Sequence, residues 1–98
     1  MILVTGAMDA KPETFDELRR LCIDHSVRSR AEPGCRSHNV HVDCEAPLRL
    51  VFVERWADLE ALKVHFARAD AIGFVKAARG LAGGGARMEI LETTPATM

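Results

Sequence analysis

The chain carries no surplus of charge, since thirteen basic residues against fourteen acidic ones leave a formal net charge of -1. Without a field to gather phosphate backbones or anionic lipid, nucleic acid and membrane are not expected as partners. Long apolar runs are missing as well. No stretch approaches the roughly 20 residues of a membrane span, and Met1 leads straight into Ile2-Leu3-Val4-Thr5 with no basic region or cleavage site. A cytoplasmic protein is expected. Cysteine is scarce and odd in number: Cys22, Cys35 and Cys44 stand at no framework spacing, which predicts free thiols in a reducing compartment. A phosphate-binding fingerprint is lacking too. Gly83-Gly84-Gly85 has no following Lys-Ser or Lys-Thr and leads from a helical pattern into a strand pattern, the reverse of a phosphate cradle, so it reads as a connector.

What remains is the composition of a globular domain, 48% hydrophobic and 28% charged with no break along the chain. Residues 1–98 are read as one domain, long enough to bury about two thirds of its unfolded surface. The pattern is organised around Leu48 to Phe66. Leu50, Phe52, Glu54 and Trp56 share one face of a strand, and Val51 with Val53 share the other, so both faces need cover. Asp58 then offers a cap to a helix on which Leu59, Leu62 and Phe66 recur at i, i+3 and i+7, with His65 on or beside that face.

Ile2 to Ala7 alternates as a first strand, apolar on both faces. A helix is expected from about Pro12 to Arg30, with Phe15, Leu18, Cys22 and His25 on its inner stripe and Glu32-Pro33-Gly34 ending it. Cys35 to Asp43 is a second strand, turning at Glu45-Ala46-Pro47 into the third. After a break at Ala69-Asp70-Ala71, Ile72, Val75 and Ala78 or Arg79 continue helical spacing to about Leu81. Arg87 to Thr93 forms a last strand. The order strand, helix, strand, strand, helix, strand predicts an α+β, ferredoxin-like antiparallel sheet with helices on one face. The other face is expected to meet a second copy, making an isologous homodimer.

Cys35, His38, His41 and Cys44 make a string that suggests zinc, but residues three apart on a strand point to opposite faces and cannot converge. No metal site is expected from it. Arg28, Arg30 and Arg36, with Glu32 beside them, read as a solvated surface. His25 and His38 read as satisfied core or rim residues. Glu54 on an apolar face requires a partner or a proton, with Arg or Lys pairing as the plain alternative to a functional role. Trp56 is either core filler, a wall for a flat ligand, or both. His65 is left open between catalytic group and packed helix residue.

The run Ala31-Glu32-Pro33-Gly34-Cys35, then Glu54-Arg55-Trp56, then Leu59-Glu60-Ala61-Leu62 through His65-Phe66 resembles the antibiotic biosynthesis monooxygenase family of dimeric α/β-barrel proteins. The resemblance implies a ferredoxin-like homodimer with a cleft between helices and sheet. It further implies oxidation of a quinol or hydroxylated polycyclic aromatic by dioxygen, with no metal, flavin or other cofactor. A haem-degrading branch of the family uses an asparagine, a tryptophan and a histidine. This chain has Val4 and Thr5, His65, and Val75 or Lys76 near those positions, so haem degradation is not expected. In the quinol-type branch the tryptophan matched by Trp56 lines the cleft.

A deprotonated quinol can give electrons to dioxygen itself, so the protein need supply only a dry pocket, a base and a stabiliser of the anion. His65 is the candidate base, because an imidazole ordinarily titrates near pH ~6.5. Glu54 is the candidate to hold or tune it, and Trp56, Leu62, Phe66 and Phe74 are candidate walls. Asn39 or Lys76 is the candidate to orient a substrate oxygen. The alternative is a non-catalytic dimer of the same superfamily that binds a small aromatic or serves a structural role. An isomerase or decarboxylase on the same fold, acting without oxygen uptake, is a third reading.

Overall fold

The computed structural model describes residues 1–98. Its elements are β1 (Ile2–Asp9), α1 (Phe15–Ser29), β2 (Cys35–Asp43), β3 (Ala46–Trp56), α2 (Leu59–Ala67), α3 (Ala69–Leu81) and β4 (Arg87–Glu92). The four strands form one antiparallel sheet in the order β2-β3-β1-β4, the ferredoxin-like arrangement expected from the pattern. No helix is long and apolar enough to cross a membrane.

β3 is central and shows the alternation that the sequence carries. Leu50, Phe52, Glu54 and Trp56 are all buried under the helices, whereas Val51 and Val53 on the opposite face are only partly covered. Two apolar clusters form on the helix side. Leu18 and Cys22 of α1, Phe74 and Ala78 of α3 and Leu50 and Phe52 of β3 belong to the larger one. Ile2, Val4, Trp56 and Leu62 make the smaller. The two do not merge, because Glu54 stands between Phe52 and Trp56 and brings polar neighbours with it.

Three details differ from the expected pattern. The first helix begins at Phe15, within one turn of the expected start near Pro12. Residues Pro12 to Thr14 are a turn, and the Thr14 hydroxyl donates to the Leu81 carbonyl at 2.7 Å, closing the end of α3 instead of opening α1. The interruption of the second helical stretch falls at Arg68, one residue before the expected break. Arg68 is extended, and its guanidinium is anchored on Asp70 in the first turn of α3 at 3.2 and 3.3 Å, so a side chain sets the break where the sequence has no Gly or Pro.

The third difference concerns which residues face inward. On α2 the buried pair is Leu62 and His65, while Leu59 is 45% exposed. On α3 the buried residues are Ala71, Phe74 and Ala78, and Ile72 and Val75 are exposed. Small alanines let α3 approach α1 closely, and that phase wins over one that would bury the larger Ile72 and Val75.

Candidate functional site

Three imidazoles and two carboxylates meet where the apolar core divides. His25 arrives on the inner stripe of α1, three residues after Cys22. His38 lies on β2 directly across the ladder from Glu54 on β3, so the two side chains share the helix-facing side of the sheet. His65 follows Leu62 by one helical turn on α2. Ring centroids of His25 lie 5.2 Å from those of both His38 and His65, and His38 is 5.7 Å from His65. His25 is fixed in plane by stacking on Phe74 at 4.1 Å and 6°.

Each of the other two histidines has one ring nitrogen held from behind. The Ser26 hydroxyl lies 2.8 Å from His38 Nδ1. Both Glu32 oxygens approach His65 Nδ1, at 3.0 and 3.1 Å. A carboxylate on Nδ1 favours the tautomer that donates there, which leaves Nε2 of His65 as the basic nitrogen. His38 Nε2 is 3.3 Å from Glu54 Oε1 but poorly aligned with it, and this buried nitrogen has no hydrogen-bond partner. Glu54 Oε1 instead accepts from the Trp56 indole at 3.0 Å.

The electrostatics follow from burial and proximity. Burial pushes His25 down to about 3, helped by His38 and His65 beside it, so this imidazole is neutral at ordinary pH. Burial alone would raise the Glu54 carboxyl, but the facing His38 and the Trp56 N–H lower it by more, and it rests below the usual carboxylate range. It is therefore an ionised carboxylate in an apolar setting.

Glu32 reaches the site through a turn that needs glycine. Gly34 has φ +82, and a Cβ there would lie 2.5 Å from the Ala61 Cβ. Its carbonyl accepts from Ala57 N at 2.8 Å, pinning the turn against the entry to α2. Glu32, read in the sequence only as a neighbour of solvated arginines, is itself withdrawn from solvent: its side chain is 7% exposed, with Arg68 Nε 3.6 Å from Oε2 on the outer side.

A cavity of about 530 Å³, within the range of small-molecule sites, opens beside the cluster. His25, Phe52, Glu54, His65, Phe66 and Phe74 line its inner part, and Arg79, Arg87, Met88 and the glycines Gly84 and Gly85 line its outer part. Of the residues singled out in the sequence, His65, Glu54, Phe66 and Phe74 come together here. Four others do not. Trp56 is fully buried and supports Glu54 from behind instead of forming a wall, and Leu62 is buried beside it. Asn39 neighbours His38 on β2, so it faces the other side of the sheet, where Arg30 donates to it at 3.1 Å. Lys76 is exposed on α3 away from the lining. Glu54 does not hold His65, because Glu32 does.

Sequence reasoning missed Glu32, Ser26, His25 and His38 as site members. His25 had a signal in its place on the α1 stripe, and His38 in its alternation with Val40. Glu32 had none beyond its Pro-Gly neighbours. Of the Cys35, His38, His41, Cys44 string, only His38 reaches this cluster, since Cys44 and His41 are exposed.

The sequence pattern of the antibiotic biosynthesis monooxygenase family matches residues 1–77, more than half of the chain. The chain belongs to that family. An uncharacterised Synechocystis protein is 34% identical over 65 residues, a match covering 66% of this chain and 44% of that relative, so the chain spans less than half its length. Among solved structures, a candidate family member from Deinococcus radiodurans superposes with a TM-score of 0.95 at 24% identity, covering 100% of this chain and 97% of that one. A protein of Mycobacterium tuberculosis gives 0.90 at 22%, covering 99% and 98%. Another structure described as an antibiotic biosynthesis monooxygenase gives 0.89 at 26%, covering 97% and 100%. The likenesses under 25% establish the fold, and the family match gives the monooxygenase-like domain its place.

Proposed function

We propose that this family member oxidises a quinol or hydroxylated polycyclic aromatic with dioxygen, and that the substrate itself supplies the electrons. The observation that carries the reading is His65: a buried imidazole on the cavity wall, tied at Nδ1 to Glu32, with aromatic surface from Phe52, Phe66 and Phe74 around it. In that setting His65 takes the phenolic proton of the bound substrate at Nε2, and Glu32 stabilises the imidazolium that forms. The resulting electron-rich anion reduces dioxygen. One oxygen atom enters the ring and the other leaves as water, so a quinol and one dioxygen give a hydroxyquinone and one water. All four electrons come from the substrate, and no external reductant is required. Arg79, a cavity-lining cation on α3, would hold a phenolate oxygen, the role first expected of Asn39 or Lys76.

The test is oxygen consumption with a panel of quinols and hydroxylated polycyclic aromatics. Wild-type protein is expected to consume dioxygen with at least one of them, and His65→Gln to lower turnover by roughly two to four orders of magnitude while changing ligand affinity much less. Tight binding of such aromatics with no uptake by any would replace the oxygenase with a binding protein.

A further inference from the structure

The three histidines have a geometry that the oxidation chemistry above does not use. His25, His38 and His65 each offer one ring nitrogen, and these atoms lie within 4.8 Å of one another, all on buried side chains. They come from α1, β2 and α2, so the sheet and two helices fix their relative positions, and the sequence string around His38 plays no part. An ion bound at about 2.1 Å by each imidazole would have them roughly 3.4 Å apart in a tetrahedral set. The needed approach is at most about 1.4 Å, within reach of small side-chain rotations.

The atoms behind the rings are arranged as metal sites require. A ligating histidine typically has its other ring nitrogen held by a carboxylate or other polar group, which fixes the tautomer and aims the free nitrogen. Glu32 does this for His65 and Ser26 for His38. What they leave over is Nε2, and on His38 that nitrogen is buried with no hydrogen-bond partner, a state folding avoids unless something else satisfies the atom. Glu54 Oε1 lies 3.3 Å from it, where a carboxylate oxygen can complete the set. Glu54, His25 and His65 also border the cavity, which gives the ion an entry path.

We infer that His25, His38 and His65, with Glu54 as the fourth ligand, form a binding site for a divalent first-row transition-metal ion. Three imidazoles and one carboxylate suit zinc, cobalt, iron, nickel or copper and disfavour calcium and magnesium, which take oxygen ligands. The site rests on the positions of these atoms and not on the oxidation proposed above. One consequence does rest on that reading: an ion on His65 occupies the nitrogen that would act as base, so zinc should inhibit oxygen uptake.

The experiment uses the full chain after dialysis against a chelator, titrated with zinc in competition with a chromophoric chelator and with cobalt by visible absorption. One ion per chain is expected, with cobalt giving the d–d bands of a low-coordinate nitrogen-rich site. His25→Phe should weaken zinc at least about 100-fold, and Glu32→Gln about 10- to 100-fold through loss of support behind His65. His41→Ala and Cys44→Ser should leave binding unchanged. Circular dichroism checks each fold, and should His25→Phe fail to fold, Glu32→Gln with the wild-type cobalt spectrum decides. Binding well below one ion per chain, equal affinity in wild type and the folded His25 or Glu32 variant, or loss of binding in His41→Ala or Cys44→Ser would overturn the site. Stoichiometric zinc that leaves oxygen uptake untouched would keep the site and remove His65 as the base. Stoichiometric zinc with no uptake under any condition would keep the site and dismiss the oxygenase.

Discussion

Burial of a thiol ties stability to alkaline pH, and Cys22 is the residue where this chain shows it. The side chain is fully buried among Leu18, Phe74 and their neighbours, and burial pushes it from an ordinary 9.0 up to about 12. A folded value above the unfolded one means that the unfolded chain loses its proton first as pH rises. Cys22 therefore adds stability that is whole below about pH 9 and is lost between about 9 and 12, with a ceiling of about 4 kcal/mol from the three-unit difference. Urea unfolding of wild type and Cys22→Val should diverge in slope only across that window. Parallel curves would show that the thiol does not govern it. At pH 8 an alkylating reagent should label the exposed Cys44 on the native protein and Cys22 only after unfolding. Trp56 gives a second residue-scale expectation: Trp56→Phe keeps most of the packing but removes the N–H on Glu54. A loss of about 1–2 kcal/mol by thermal or denaturant unfolding follows from a buried carboxylate left short of a donor.

At the scale of elements, the turn after α1 decides whether the site exists. Gly34→Ala puts a Cβ into the Ala61 side chain at 2.5 Å and forces a positive φ on a residue that resists it. The expected cost is about 1–3 kcal/mol, and the turn that delivers Glu32 to His65 should shift with it. His65 ring resonances that stay where they were in wild type would refute that coupling. The helix start at Asp58 is a separate device, its carboxylate accepting from Ala61 N at 2.9 Å, and Asp58→Ala should cost about 1 kcal/mol without touching the cavity. These cases also show what a reader of the sequence could and could not see. Strand alternation in Leu50 to Trp56, the Asp58 cap and the Gly34 turn are local signals, so the order of elements and the inward pair Glu54 and Trp56 were legible. The partner of Glu54 was not, because it depends on the β2–β3 register that sets His38 opposite. Nor was the phase of α3, where Ile72 and Val75 fit a helical stripe as well as Ala71, Phe74 and Ala78 do, and close contact with α1 made the choice. The break between α2 and α3 was legible to within one residue, at Ala69-Asp70-Ala71, although neither Gly nor Pro marks it.

At the scale of the whole molecule, one sheet face has no cover within the chain. All three helices lie on the other side, and Leu3, Thr5 and Ala7 of β1 with Val51 and Val53 of β3 form a stripe only partly shielded, with Leu91 of β4 beside Leu3. β-Branched and aliphatic side chains centred on the two middle strands are costly to leave in water, at about 25 cal/mol per Å² of apolar surface. A second copy presenting the same stripe is the simplest cover, since a twofold axis lets one patch satisfy itself. We therefore propose a homodimer packed sheet on sheet, with each cavity on the far side of its own sheet. Sedimentation should give a particle near twice 10.8 kDa at micromolar concentration. Val53→Glu should yield a folded monomer or an unfolded chain, because two carboxylates would be buried against each other across the axis. Lys76→Glu, exposed on α3, should leave the dimer intact and so separates a specific face from a general effect of charge. A wild-type chain that is folded, soluble and monomeric at that concentration would mean that partial exposure of the stripe is tolerated, and the dimer would have to be abandoned.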